Sequence, residues 1–554
     1  MRRMIGLALG VLTLVSVGCG APEGRSANAV KGSRSGRLAP AQPFPSRQAL
    51  EKLAAAPVTP LPARTVAAAP EWKLQGAGAD AVAPVEARYA QVATKTGAAV
   101  TFAKELRCVA RELGRFHLEN DAYPDERLRR FLIAACGLTN PAIVAAESHG
   151  AADPSIADEE ILADWQKKLA IPAEVRGSAL GVWMGRKGKR VVIMTVAQKT
   201  SPGDMVITNE EPGQVTVRGT APLGSETVIG LVNQGEHGVA RCAQDLATPL
   251  PLYAFRCALG EGDATAWIEV AARAQGRLLL RSVGLGLARR DVAVPYAYVA
   301  APRDVKNVTS SAELASAVLD GVNRARAKGK LAPLTLAGTQ TATNGRFAPH
   351  FFQASQQHDD SDQIGLGLLA GWDVEGTIRN GNLFAALLSG TSNANAWLDY
   401  ALESPMGRFT MLEPEARQIA VGVSAPGALG GLGAVVTTYQ MFGSTDHRAD
   451  VAHVFAGITK LRAARGLAQP IAMADTAALA AEATFVNTGR KDAQDALDAA
   501  LVAVRNRTHQ GVRGWIAMTN DLDSIPFPPE LLGAPSATVG IEVTHVRNPG
   551  AAWG

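Results

Sequence analysis

Apolar positions along this chain change period more than once, and each change marks a different kind of unit. Between Ala87 and Leu138 they recur at helical spacing. Phe102, Leu106, Val109 and Leu113 share one face, and Pro124-Asp125-Glu126 opens a second helix with Leu128, Phe131 and Leu132 inward. A third helix is predicted over Glu159–Leu169, carrying Leu162 and Trp165, followed by strands over Ala179–Met184 and Val191–Val196. The basic loop between those strands, Gly185-Arg186-Lys187-Gly188-Lys189-Arg190, reads as the solvated tip of a hairpin. A grip on an anionic glycan or lipid headgroup is the alternative.

From Gly203 to Arg290 the helical period gives way to short alternating runs. They are Val206-Ile207, Val215-Thr216-Val217, Thr227–Val232, Ala266–Val270 and Leu278-Leu279-Leu280, separated by Gly-, Pro- and Asp-rich turns. That spacing predicts an all-β, immunoglobulin-like sandwich serving as a spacer or docking module.

Helical period returns at Ser310-Ser311-Ala312-Glu313, a capping box opening a helix with Leu314, Val318, Leu319 and Val322 on one face. It runs on through Asn323-Arg324-Ala325-Arg326 to Gly329-Lys330-Leu331-Ala332-Pro333-Leu334. A second helix is expected to end at Ala348-Pro349-His350-Phe351. Then come a polar stretch, His358-Asp359-Asp360-Ser361-Asp362, read as a loop between helix and strand with ligands for a metal near His350 as the alternative, and Asn380-Gly381-Asn382-Leu383-Phe384-Ala385. A helix bearing Trp397 leads to Ser404-Pro405-Met406-Gly407-Arg408, and strands Ile419–Val423 and Ala434–Tyr439 close the unit. Trp397 and Tyr400 could line a groove, although Trp397 reads as core.

This order resembles the CAP superfamily, which comprises cysteine-rich secretory proteins, antigen five and plant pathogenesis-related group one. The resemblance covers about 135 residues and implies an α-β-α sandwich. It also implies a cleft of two histidines and two glutamates able to hold a divalent metal such as zinc. Carried over by position, the first histidine is His350. The glutamate place of G-E-N holds Gly381, and the second histidine place of S-P-x-H-R holds Gly407. The tetrad is degenerate: His350, Asn382 and Arg408 are what remains of the cleft. No catalytic residue is assigned, and His350 is the lone candidate for a zinc ligand.

The tail repeats the pattern faintly. A helix with Val454, Ile458 and Leu461 precedes Arg462-Ala463-Ala464-Arg465-Gly466-Leu467-Ala468-Gln469-Pro470-Ile471, set out like Arg324–Leu334. Helices over Asp475–Ala483 and Lys491–Arg505 follow, with strands over Gly514–Met518 and Thr538–Val546. This reads as a second, divergent CAP-like unit. Residues 79–200, with Leu180-Gly181-Val182, could be a third relic or an α/β domain of other descent.

The N-terminus changes the compartment. Arg2 and Arg3 precede an apolar run from Ile5 to Val17, the length of a signal-peptide core and too short for a bilayer. Ser16-Val17-Gly18-Cys19 resembles a bacterial lipobox, with Cys19 as the lipidated residue. Four cysteines remain, an even number in an exported chain. Three pairings are possible, and Cys108–Cys136 with Cys242–Cys257 keeps each bridge inside one unit.

Composition adds only exclusions. With 55 basic and 51 acidic residues, the loss of Arg2 and Arg3 leaves 53 against 51, which gives no reason to expect nucleic acid as a partner. The expected layout is a multi-domain α/β chain. Residues 1–18 are the signal, 19–78 a flexible tether, 79–200 an α/β domain, 201–300 the sandwich, 306–445 the CAP-like domain and 446–554 its divergent copy. The expected function is binding or adhesion at the outer membrane or cell surface, to an envelope lipid, polysaccharide or protein. A metal-dependent hydrolase of peptide or envelope polymer using His350 is the alternative.

Overall fold

The structure is a computed structural model that describes residues 16–17 and, with gaps, 45–544. The larger gaps are 60–64, 76–83, 96–99, 165–178, 199–204, 291–296, 301–309, 425–429, 442–446 and 518–521. Cys19, most of the signal segment, Trp165, His358–Asp360 and Met518 lie outside the described residues. No helix among the described residues is long and apolar enough to cross a membrane.

Strand β1 (Ser16–Val17) and helix α1 (Arg47–Ala54) come first, then β2 (Val66–Ala67) and β3 (Glu71–Lys73). The N-terminal unit follows: α2 (Pro84–Lys95), β4 (Thr101–Phe102), α3 (Lys104–Asn120), β5 (Tyr123–Pro124), α4 (Glu126–Ala135), β6 (Val144–Ala151), α5 (Asp158–Asp164), β7 (Ala179–Lys187) and β8 (Arg190–Gln198). Asp125 caps α4 by accepting from the Leu128 N–H at 2.9 Å. Its sheet runs β4-β7-β8-β6, with β4 parallel to β7 and the rest antiparallel. Cys108 and Cys136 are bonded, joining α3 to the end of α4.

Eight strands make two four-stranded antiparallel sheets: β9 (Val206–Glu211), β10 (Gln214–Thr220), β11 (Ser225–Gln234), β12 (Gly238–Arg241), β13 (Ala243–Gln244), β14 (Leu252–Ala258), β15 (Thr265–Ala274) and β16 (Arg281–Arg289). Their orders are β13-β14-β10-β9 and β12-β11-β15-β16. Val217, Phe255 and Cys257 from one sheet share a core with Val228, Ile268 and Val270 from the other. Cys242 and Cys257 are bonded. Leu279 and Leu280, expected within a strand, instead precede β16 and bury against the central unit, in the clusters of Phe351 and Leu314 respectively. Beyond the sheets, β17 (Ala297–Val299) pairs with β3.

The central unit runs α6 (Ser311–Lys328), β18 (Thr335–Leu336), α7 (Gly338–Gln357), α8 (Ser361–Leu369), β19 (Ile378–Ser389), α9 (Ala394–Glu403), α10 (Pro405–Met411), β20 (Ala416–Ser424) and β21 (Gly431–Met441). The capping box forms at Ser310 and Glu313. Helix α7 continues past Phe351 to Gln357 despite Pro349, because Phe347, Phe351 and Phe352 are buried in one core. Ser361 and Asp362 are the first turn of α8 and are buried; Asp362 holds Arg277 at 3.2 Å and Arg281 at 2.5 Å. The loop expectation is therefore corrected for these two residues. Trp397 is fully buried and donates to the Ala386 carbonyl at 2.9 Å, and Tyr400 is buried too, so neither lines a groove.

The C-terminal unit has α11 (His447–Ala463), β22 (Ile471–Ala472), α12 (Ala477–Asn487), α13 (Ala493–Thr508), α14 (Pro529–Gly533) and β23 (Thr538–Val539). The strand expected at Gly514–Met518 is irregular over its described part, and the one at Thr538–Val546 is two residues long.

The N-terminal and central sheets have one topology. Ordered β18-β20-β21-β19, with β18 parallel to β20, the central sheet matches β4-β7-β8-β6 strand for strand. One backbone bond recurs in all three units: Ala103 N–H to Leu180 O at 2.9 Å, Ala337 to Ile419 at 2.8 Å, and Met473 to Val539 at 2.9 Å. The repeated motif also has a structural use. Asn323 brackets Leu334 by donating to its carbonyl and accepting from its N–H. Arg326, wholly buried, donates to the carbonyls of Ala332, Met411 and Glu413. Arg462, equally buried, does the same six residues on at Ala468, and at Leu531 and Ala534.

The stretch expected to be a flexible tether is partly built in. Leu50 of α1 is 1% exposed and packs with Phe347 and Phe351, while Arg47 reaches Asp373 at 2.8 Å. Gly367 makes room, since a Cβ there would stand 1.8 Å from Leu50 Cδ1. β2 pairs with β5 as well. The sequence pattern misled here because a single leucine, with polar neighbours, anchors the helix. β1 lies along β19 at the sheet edge.

Candidate metal centre

Three side chains of the N-terminal unit converge where α3 ends over the edge strand β6. Glu147 and His149 alternate on β6, so both project to one face. His117 stands in the last turn of α3, which packs across β7 and β8. Glu147 Oε1 lies 2.9 Å from His149 Nδ1, and Glu147 Oε2 lies 3.3 Å from His117 Nδ1. The two imidazoles stack with centroids 6.1 Å apart, and the Tyr123 ring meets His117 edge-on at 5.3 Å.

The donor set suits a divalent ion. One ligand atom from each residue falls within 4.8 Å of the others, the only such group of histidine, cysteine and carboxylate among the described residues. His117 Nδ1 and Glu147 Oε2 are buried and make no hydrogen bond. Leaving a buried polar atom unpaired costs about 1–3 kcal/mol; these two lie 3.3 Å apart without hydrogen-bond geometry, an ion-pair contact when His117 is protonated and a pair of free donor atoms for a cation when it is neutral. Burial lowers the His117 pKa; Glu147 opposes this, and Arg190 and His149 add to the lowering. A neutral imidazole keeps the lone pair that a metal needs. Two nitrogens and a carboxylate oxygen match zinc and its neighbours in the transition series. His117 is buried and the Glu147 side chain is 13% exposed, while the His149 side chain is 64% exposed, so the cluster opens to solvent on one side.

The residues expected to form the cleft are held by different neighbours. His350, half-buried on α7, hydrogen-bonds the backbone of Ala54 at the end of α1; burial lowers its pKa and that bond opposes. Asn382 is buried on β19, opposite Thr438. Arg408 donates to the carbonyls of Leu402, of Gly235 in the β11–β12 turn and of Gly238 at the start of β12. Ser404 and the Met406 N–H both bond Glu269 of β15, at 2.8 and 3.0 Å. The S-P-x-x-R segment is therefore a docking element for the β-sheets. Gly407 follows from this packing: a Cβ there would stand 1.9 Å from the Ala401 carbonyl oxygen, so a histidine has no room.

The sequence reading missed Glu147 and His149 because it missed β6. After Val144, the strand Ala145-Ala146-Glu147-Ser148-His149-Gly150-Ala151 carries no β-branched residue and no apolar alternation. The usable signal was the Glu-x-His spacing, which puts both side chains on one strand face.

No family model matches this chain, and no curated protein does. Among solved structures it is similar to a cysteine-rich secretory protein from Staphylococcus aureus subsp. aureus Mu50, at 10% identity and TM-score 0.19, covering 43% of this chain and 86% of that one. It is also similar to an extracellular protein containing a SCP domain from Bacillus anthracis str. Ames, at 13% identity and TM-score 0.19, covering 51% and 92%. A third similar structure is Na-ASP-1, at 10% identity and TM-score 0.18, covering 66% and 95%. Likeness at this level bears on neither ligand nor activity.

Proposed function

We propose that this chain is an exported, lipid-anchored cell-envelope protein whose CAP-like units serve binding, and whose N-terminal unit holds a divalent transition-metal cation, zinc foremost. The observation that carries the metal reading is the facing pair of buried, unbonded atoms, His117 Nδ1 and Glu147 Oε2. Two intra-unit disulfides support export to an oxidising compartment. Support for the lipid anchor is Ser16-Val17-Gly18-Cys19 in the sequence. Cleavage before Cys19 would remove β1 and open the edge of β19.

A second reading keeps the metal and adds chemistry. Three protein donors with one side open to solvent is the arrangement of a hydrolytic zinc site, in which a water completes the coordination. On either reading the metal belongs to His117, Glu147 and His149, and His350 is a structural residue beside α1.

The test is zinc titration by calorimetry into chelator-stripped protein. Wild type should bind one zinc per chain with sub-micromolar affinity. His117→Ala and His149→Ala should each weaken binding by about 10–100-fold, and His350→Ala should leave it unchanged. Equal zinc affinity in wild type and His117→Ala would sink the assignment.

A further inference from the structure

The basic hairpin tip and the candidate metal centre lie on the same face of one sheet. In the antiparallel ladder Glu147 faces Met194, His149 faces Val192, and Ala151 faces Arg190. Arg190 in turn faces Lys187 on β7. Residues directly opposite in such a ladder project to the same side. Glu147, His149, Arg190 and Lys187 therefore share a face, and Trp183 and Met194 identify it. A Cβ at Gly114 of α3 would strike both side chains, so this is the face α3 covers.

Helix α3 stops at Asn120, so beyond it the face lies open at Arg190 and Lys187. Arg190 ion-pairs with Asp121 just past the helix end, and its charge reaches His117. Arg186 points the other way and is used structurally, by Asp158 at 2.5 Å and the Ile156 carbonyl at 2.7 Å. Lys187 and Lys189 are exposed and make no ion pair among the described residues. Gly188, at φ +60°, turns the chain between them and sets Lys189 beside Lys187 at the tip.

We infer that the group completing the cation site is a phosphoryl oxyanion, held between the cation and the rim of Lys187, Lys189 and Arg190. The inference rests on the metal reading above and names its ligand. A divalent cation outweighs the charge of Glu147, and Lys187 and Lys189 add charge that no ion pair among the described residues offsets, while Arg190 shares its charge with Asp121. Such a field matches the two charges of a phosphate monoester better than the single charge of a carboxylate. The solvated reading of the tip accounts for Lys187 and Lys189 being exposed; it does not account for Lys187 and Arg190 standing on the same face as a His-Glu-His cluster.

The experiment uses the full exported chain purified from membranes in detergent, zinc-loaded or chelator-stripped, titrated with inorganic phosphate, glycerol phosphate and acetate. Phosphate should bind the loaded protein, and the double variant Lys187→Ala/Lys189→Ala should weaken it about tenfold with zinc affinity unchanged. Those lysines are exposed, so the variant keeps the fold. Zinc binding without any phosphate heat overturns this inference and leaves the metal reading standing. Absence of zinc binding overturns both. Phosphate binding of equal strength in stripped protein, or acetate binding as tight as phosphate, overturns the proposed bridging phosphoryl group. Glycerol phosphate binding as well as free phosphate places the group on a polymer or lipid; exclusion of the ester confines it to the free ion.

Discussion

The N-terminal and central units put opposite chemistry at one place in one fold. Counting along the shared ladder from Phe102–Leu180 and Leu336–Ile419, Glu147 corresponds to Ala385 and His149 to Leu387. Counting along the following helix, His117 corresponds to Phe351. Phe351, Ala385 and Leu387 are buried together in one apolar cluster. One unit thus fills this position with hydrocarbon, while the other leaves a carboxylate and an imidazole facing each other unbonded. Hydrocarbon is the stable solution and the polar cluster the costly one. A costly arrangement that persists beside a stable version of itself points to a ligand that offsets it.

The central unit uses its Ser404–Arg408 segment in assembly, and this yields the largest expected effect. Ser404, Met406 and Arg408 all bond to the β-sheets, and Gly407 lies against the Ala401 carbonyl. Gly407→His would supply the histidine that the resemblance read from the sequence calls for, but it must displace backbone, not the tip of a flexible side chain. It should destabilise the protein by roughly 3 kcal/mol or more, read as a lowered unfolding midpoint, and should add no zinc site. A stable Gly407→His variant binding a second zinc would show that the central unit lacks only one residue of a metal site.

Glu403 offers a smaller effect with a pH signature, because it joins the two units being compared. Its carboxylate takes Arg127 of α4 and lies 2.7 Å from Arg130, whose guanidinium sits over the Tyr400 ring. Burial would raise the Glu403 carboxyl, but Arg130 and then Arg127 outweigh it and hold it below the usual 4.5. The folded protein therefore stays ionised at an acidity where the unfolded chain takes up a proton. Stability from this contact is full above pH 4.5 and drains away as the pH falls through the depressed value. Glu403→Gln should cost about 2 kcal/mol at neutral pH, less than the roughly 3–5 of a fully buried pair, because 24% of the Glu403 side chain is exposed. The gap to wild type in denaturant midpoint should narrow below pH 4.5. A gap that stays constant into acid would mean that the α4–α9 contact is not ionic.

What the sequence disclosed follows burial. Helices with one clean apolar face, such as Leu314, Val318 and Val322, were legible, and so was the hairpin of Val191–Val196 with its partner. Asn323 and Arg326 were legible as a motif at a helix end but not as the backbone clamp they form. The shared topology of the two units was visible only as an order of elements, since a ladder register leaves no mark in a sequence. The site itself was hidden for a related reason. An edge strand of small and polar residues has no hydrophobic period, and His117 falls within reach of Glu147 only once α3 has crossed the sheet.

The smallest stability effect makes the sharpest test, because its sign is unusual. Replacing His117, Glu147 and His149 by Phe, Ala and Leu writes the central unit's solution into the N-terminal one. The substitution removes the unbonded atoms of His117 and Glu147 and supplies apolar volume under Tyr123. If the polar cluster is kept for a cation, metal-free protein should gain about 1–2 kcal/mol while zinc binding disappears. Denaturant unfolding in the presence of chelator reads the first, and calorimetry the second. Added zinc should reverse the ranking, because a ligand bound only by the folded state stabilises wild type alone. A triple variant less stable than metal-free wild type would mean that these groups already satisfy the fold as they stand, and the contrast between the two units would then be one of packing rather than of function.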